Sequence, residues 1–429
     1  MDQVLKRIYS IANHPINKLD EKFRLKYVKG LAACLHLLSK DSPKAKFIFN
    51  IWAKSILSSD SNLLQYWHDD IVAIKSALSI QRNGFKFFSM KLNLFFDCFY
   101  LLEACNLCPK QISQTEIYQL LNTTICNLFT RGALNMVYQD FQGLIVNNAS
   151  YKKKMANLVI HREKNRQILK VSNRRILVVA NVSAGKSTLI NALVGYRLNR
   201  MKTTACTNKI VHIYNKVEPD GIIKCNEANN YAYYGDPEMT NSDYFIACAL
   251  HFHSLLSRSN ICLVDSPGIN NADNLQHKAI TLQAIRQGEY DALLYVSNCQ
   301  YFGTNDEHLL LNMLQRTVKK PILFVLNQLD RFKSKQDSVA EMLNNYRQDL
   351  RQIGFKDPVV IPVSARAALL MKLSDNRLDE DDLFDKEQYV KQFKRDYFDL
   401  PAYVNGDSTS NLLERTGISY LEEMIKQTI

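Results

Sequence analysis

Eight consecutive residues, Asn181-Val182-Ser183-Ala184-Gly185-Lys186-Ser187-Thr188, have the types and order that hold phosphate. Glycine, lysine and a hydroxyl residue in a row, after an apolar strand and before a helix, is the context a P-loop requires. Backbone N–H groups at a helix start cradle anionic oxygens. Lys186 would neutralise the β- and γ-phosphates of a nucleotide, and the Ser187 hydroxyl would ligate Mg2+. Ala180 stands where this signature usually begins with glycine.

Three further short motifs follow in order, each after an apolar run. Asp265-Ser266-Pro267-Gly268 offers a carboxylate to hold a water on Mg2+ and a glycine N–H for the γ-phosphate. Asn327-Gln328-Leu329-Asp330 offers an aspartate that can accept both N1–H and the 2-amino group of guanine, donors that adenine lacks in that arrangement. Ser364-Ala365-Arg366 offers the Ala365 N–H to guanine O6. A threonine that completes Mg2+ coordination is expected before the second strand. Thr207 lies nearest that strand, and Thr204 is the alternative.

These residues need strand ends to sit on. Ile176–Ala180 is a continuous aliphatic run of the kind found in buried parallel strands. Similar runs recur at Ile210–Tyr214, Ile261–Val264, Ala292–Val296, Ile322–Leu326 and Val359–Val363. Helical patterns lie between them, at Ser187–Val194 and at Thr304–Val318, where Thr304-Asn-Asp-Glu307 fits a capping box. The alternation predicts a doubly wound α/β nucleotide-binding domain over 176–429. Residues 1–150 instead repeat apolar residues at spacings of three and four, as in Leu92, Phe95, Phe96, Phe99 and Leu102, and read as an all-α domain. An acidic stretch from Asp375 to Asp385 reads as a solvated loop leading into a helix, with a metal or lysine-docking site as the alternative.

Composition narrows the class. The chain has 429 residues, 46% hydrophobic and 22% charged, with 14 glycines and 10 prolines. That length suits two or three domains, and the values exclude collagen-like, disordered and mini-protein classes. The net charge is +12. Tyr151 to Arg175 carries nine Lys/Arg against one acid, so this 25-residue connector holds most of the excess. It reads as the solvated face of a helix, with an anionic membrane surface or a partner protein as alternatives. It has no aromatic interleaving of the kind that stacks bases, so nucleic acid is not the expected partner. Ten scattered cysteines and no secretory signal predict free thiols in a reducing, cytoplasmic setting. Cys105-Asn-Leu-Cys108 has no second ligand pair and reads as buried helix thiols, a zinc site being the alternative. Phe85–Leu107 is apolar but broken by four charges and falls short of a spanning helix.

Taken together, these residues resemble the dynamin-like GTPases of bacterial type. The serine in Val182-Ser183-Ala184-Gly185-Lys186-Ser187 matches that family's loop, Ala-Cys-Thr207 its switch, and Asp-Ser-Pro-Gly268 its second motif. The likeness covers about 172–429. It implies GTP hydrolysis with Mg2+, stimulated when two G domains pair, either in a homodimer or with a second dynamin-like chain. It also implies a charge-compensating monovalent cation, K+ or Na+, beside Ser183. The resemblance thus assigns catalytic roles to Ser183, Lys186, Thr207 and Gly268, and metal ligation to Ser187, Thr207 and Asp265.

The sequence departs from the family at four points. Val182 replaces a polar catalytic residue. Ile269 stands where small GTPases keep a water-orienting glutamine. Gln328 replaces the usual lysine of the guanine motif. No helical stalk follows the G domain in this sequence. Val182 and Ile269 leave open a GTP-dependent recruitment switch with negligible turnover, and the basic connector leaves open an RNA- or ribosome-associated GTPase.

Overall fold

A computed structural model describes residues 2–9, 14–39, 42–57, 63–67, 85–105, 119, 131–144, 146–181, 183–198, 209–236, 245–268, 275–300, 303–333 and 338–429. Two compact units divide the chain, Met1–Val171 with Asn230–Tyr233, and Ser172–Asn229 with Tyr234–Ile429.

The first unit is helical. Its main helices are α1 (Glu21–Ser39), α2 (Pro43–Leu57), α3 (Phe85–Ala104), α4 (Arg131–Phe141) and α5 (Ala149–Lys170). Helix α3 packs against the other four. A buried carboxylate, Asp97, accepts hydrogen bonds from Tyr27 Oη at 2.5 Å and His14 Nε2 at 2.9 Å. The other ring nitrogen of His14 accepts from the Ile16 N–H at 3.1 Å, so Nε2 carries the proton. Burial and the adjacent Asp97 carboxylate push the Tyr27 phenol well above its usual range.

Helix α5 explains why its sequence shows a broken apolar stripe. Its buried residues are Tyr151, Met155, Leu158, Arg162 and Asn165. That spacing alternates four and three, one continuous helix face. Two polar residues complete the stripe because each is matched. Arg162 grips both oxygens of Asp140, at 3.0 and 3.1 Å, and lies 4.5 Å from the Phe141 ring centre. Asn165 Oδ1 accepts from the Ile8 N–H at 2.8 Å. Arg166 likewise holds Glu103 through two bonds, at 2.8 and 2.9 Å. Two arginines of the basic connector therefore face inward, while Lys152, Lys153, Lys154 and Lys170 are exposed. No helix among the described residues is long and apolar enough to cross a membrane.

The second unit is built on a sheet of order β3-β5-β2-β6-β1-β7-β8-β9; β4 belongs, but for its last residue, to the segment of the first unit. The strands are β1 (Arg174–Ala180), β2 (Val211–Asn215), β3 (Ile222–Cys225), β4 (Tyr231–Tyr234), β5 (Ala247–Leu250), β6 (Ile261–Asp265), β7 (Ala292–Asn298), β8 (Ile322–Asn327) and β9 (Val359–Pro362). Strands β6, β1, β7, β8 and β9 run parallel to one another. Strand β2 is antiparallel to β6. Every residue of β1 from Ile176 to Ala180 is buried, as its unbroken apolar run requires. Between the strands lie α6 (Lys186–Val194), α7 (Leu275–Gln287), α8 (Asn305–Thr317) and α9 (Val339–Ile353), and after β9 follow α10 (Ala365–Lys372), α11 (Glu380–Phe393) and α12 (Ile418–Thr428). The expected doubly wound architecture is present.

Three strands went unread in the sequence. β3, β4 and β5 have four residues each, too short to show a periodicity. The capping box at Thr304 forms with one shift. Thr304 Oγ1 accepts the Glu307 N–H at 3.4 Å, but the Glu307 carboxylate takes the N–H of Gly303, one residue earlier than the motif prescribes. The described cysteines, 34, 98, 105, 225, 248, 262 and 299, are buried thiols outside any disulfide. Cys108, Cys126 and Cys206 lie outside the described residues.

Candidate functional site

Five adjacent parallel strands end at one edge, and each delivers a candidate site residue at or just past its last position. Ligands of open α/β sheets bind at this carboxyl edge, where connections diverge to either side. β1 leads into the P-loop, β6 ends on Asp265, β7 on Asn298, β8 on Asn327, and β9 is followed by Ser364.

The loop turns sharply into α6. The Ala184 N–H bonds back to Asn181 O at 3.3 Å. Ser183 is exposed and left-handed at φ 62°, and Gly185 is left-handed at φ 82°. A side chain at 185 would also collide, since a Cβ there would lie 2.5 Å from Asn327 Nδ2. Glycine is therefore required twice over. Lys186, Ser187 and Thr188 form the first turn of α6, where unpaired N–H groups and the helix dipole favour anions. Lys186 Nζ forms an ion pair with Asp265 Oδ1, both largely buried. Ser266 anchors the start of the second motif by donating to Val178 O at 2.8 Å, and a Cβ at Gly268 would meet nothing within 4 Å among the described residues.

Asn327 links the 181–188 loop to the start of α10. Its Nδ2 donates to Ala184 O at 2.9 Å, and its Oδ1 accepts the Ala365 N–H at 3.1 Å. Gln328 is left-handed at φ 70°, and its Nε2 donates to Ser183 O at 2.7 Å. Two non-glycine residues in a conformation that costs about 1–2 kcal/mol each are thus bonded to one another. Asp330 Oδ1 accepts from Ser364 Oγ at 2.5 Å. The Ser364 N–H bonds to Thr416 O at 2.9 Å, tying this corner to the turn before α12. Gly417 allows that approach, because a Cβ there would lie 2.0 Å from Pro362 O.

Arg366 sits in the first turn of α10, and its guanidinium is taken by Asp382 at 2.6 Å and Asp385 at 3.3 Å. Any part it has in base binding is therefore through its backbone. The acidic stretch is a short turn and then α11, capped by Asp379, with Asp382 turned inward. Among the described residues no group of three or more His, Cys, Asp or Glu side chains could hold a metal. Val182, Ile269 and both candidate switch threonines, Thr204 and Thr207, lie outside the described residues.

Asn298 is a site residue that sequence reasoning missed. Its Nδ2 lies 3.3 Å from both Ser183 O and Gln328 Oε1, and its Oδ1 accepts the Gln300 N–H at 2.9 Å. No motif marks it. The available signal was its place at the end of a strand paired in register with β8, Asn298 opposite Asn327.

Comparison with known proteins matches part of the chain to a known family. Residues 176–329 match the dynamin family. The chain is similar to a probable transmembrane GTPase, FZO-like, of Arabidopsis thaliana chloroplasts, at 28% identity over 201 residues. That match covers 46% of this chain and 20% of the relative. An uncharacterised protein of a Caldicellulosiruptor species is 26% identical over 58% of this chain and 62% of its own. The chain thus spans less than two thirds of the length of either relative. Among solved structures, Toc33 of Arabidopsis thaliana in complex with GDP and Mg2+ is 14% identical over 48% of this chain and 76% of its own, with a TM-score of 0.30.

Proposed function

We infer, from the dynamin-family G domain that residues 176–329 form, that this protein binds GTP and hydrolyses it to GDP and phosphate. The observation that carries the reading is the pair of hydrogen bonds of Asn327, one to the Ala184 carbonyl of the phosphate loop and one from the Ala365 N–H. A nucleotide would lie along the strand ends, its phosphates at Asn181–Thr188 and its base against Asn327, Gln328, Asp330 and Ala365.

Water attacks the γ-phosphorus, a P–O bond forms, and the bond to the β–γ bridging oxygen breaks. Negative charge moves onto that oxygen, which the loop N–H groups and Lys186 stabilise. Lys186 would turn from Asp265 to the phosphates. The Ser187 hydroxyl and the Asp265 carboxylate are hard oxygen donors, a set that fits Mg2+. When bound, Mg2+ would supply charge neutralisation at the phosphates. A monovalent cation beside Ser183 would draw on its exposed hydroxyl, because its carbonyl already accepts from Gln328 and Asn298. Catalysis is then positional and electrostatic.

The reading extends to pairing of two G domains across the nucleotide, in a reducing cytoplasmic setting suited to buried thiols. An anionic surface is the partner that the exposed lysines of α5 would meet. The test is GTP turnover against protein concentration, with ATP and Lys186→Ala as controls. The rate per molecule is expected to rise with concentration, and Lys186→Ala to lose at least about a hundredfold. A flat rate would mean a complete monomeric site. Tight GTP binding with no turnover would mean a recruitment switch. Equal use of ATP would overturn the roles given to Asn327 and Asp330.

A further inference from the structure

Helix α11 grows out of the acidic stretch, a part of the sequence to which the G-domain motifs assign nothing. Its first turn is locked in place. Asp382 is buried and bonded to Arg366, at 2.6 Å, and to Arg197. Asp385 adds a second contact to Arg366 at 3.3 Å. Two turns later the same helix meets the guanine motif. Gln392 Nε2 donates to the backbone carbonyl of Asp330 at 2.6 Å, and Tyr389 Oη donates to Asp330 Oδ2 at 3.4 Å.

A carboxylate has about four acceptor directions, two on each oxygen. Ser364 takes one on Oδ1 and Tyr389 takes one on Oδ2. What remains is one direction on each oxygen. That is the arrangement a base with two adjacent N–H donors would fill. Without a partner on Oδ2 the carboxylate turns about a broad torsion, because terminal sp³–sp² rotors have shallow wells. Burial and the negative charge of Asp330 push the Tyr389 phenol above its usual range, so it stays a protonated donor.

We propose that Tyr389 and Gln392 are positioning residues for Asp330, so that discrimination of guanine from adenine by this protein depends on helix α11. The proposal rests on the guanine-nucleotide reading above. Its test is the affinity of the full chain for GDP and for ADP, in wild type, Tyr389→Phe and Gln392→Ala, with thermal unfolding of each. Tyr389→Phe keeps the ring and removes only the hydroxyl. GDP affinity is expected to fall about tenfold, the value of a hydrogen bond to a charged group, with ADP affinity unchanged. The GDP:ADP ratio then falls by the same factor while the ligand-free unfolding temperature holds. Gln392→Ala should move the ratio the same way. If wild type prefers GDP and Tyr389→Phe keeps its ratio, or weakens both nucleotides equally, the proposal is wrong and the underlying reading stands. If wild type shows no guanine preference, the reading falls and takes the proposal with it.

Discussion

Ser183 presents its carbonyl to two side-chain amides, Gln328 at 2.7 Å and Asn298 at 3.3 Å, and Asn298 also donates to Gln328 Oε1. The three groups form a closed, uncharged ring under the phosphate loop. This arrangement gives Gln328 a reason to stand where the guanine motif usually has lysine: its neutral amide both donates and accepts. Asn298→Asp would set a carboxylate against two acceptors, Ser183 O and Gln328 Oε1. GDP affinity should fall about tenfold or more, since an unpaired buried charge costs more than a missing bond. Adding Gln328→Lys should recover most of the loss, because an ammonium can donate to both neighbours. The measurement is a double-mutant cycle on GDP affinity. A coupling of about 1 kcal/mol or more is expected, and additive losses would remove Asn298 from the site. The contrast with Lys186 and Asp265 shows which site residues a sequence displays. Those two belong to fixed spacings beside strands and were legible. Asn298 gains its role from the register of two parallel strands, and no local spacing encodes that.

Strands β1, β6, β7, β8 and β9 were legible because each is buried over most of its length and so reads as an apolar run. Helix α11 was legible as a helix but not as a brace. Its acids look like a solvated face, and nothing in the local pattern says that Asp382 turns inward to Arg197 and Arg366. Burial alone would raise the Asp382 carboxyl, but bonds from Arg197 and then Arg366 outweigh it, and the group sits below the usual carboxylate range. Folding therefore favours the ionised form. The stabilisation is complete above the unfolded value, about pH 4, and is lost as pH falls through the lower folded value. Asp382→Asn should cost about 2 kcal/mol at pH 7, less than a fully buried pair because both arginines are partly exposed. Urea unfolding of both proteins from pH 7 down to pH 3 measures the gap, which should narrow below pH 4. A gap that stays constant over that range would mean that Asp382 acts through packing and not through charge.

At the scale of the whole chain, the two units were legible to different degrees for a physical reason. A nucleotide site needs particular residue types at strand ends, so its chemistry is written locally. The helical unit needs only apolar faces and matched polar groups, which many sequences satisfy. Its basic segment shows how net charge misleads when read from sequence alone. Arg162 and Arg166 add to the count but are paired with Asp140 and Glu103 inside the unit, and Asp140 also accepts from Tyr151 Oη at 2.8 Å. Lys152, Lys153, Lys154 and Lys170 are exposed, so any attraction to an anionic surface would draw on them. The two groups should therefore separate experimentally. Arg162→Met leaves Asp140 without its ion partner and should destabilise the helical unit by about 3 kcal/mol, with GDP affinity unchanged. The triple change of Lys152, Lys153 and Lys154 to glutamine should leave unfolding within about 0.5 kcal/mol of wild type and weaken any salt-dependent binding to anionic vesicles. Chemical denaturation with a helix-sensitive signal, run beside vesicle sedimentation at two salt concentrations, distinguishes them. If Arg162→Met unfolds like wild type, the inward face of α5 is not held by that pair. If the lysine variant binds vesicles as wild type does, the charge that matters lies on another surface.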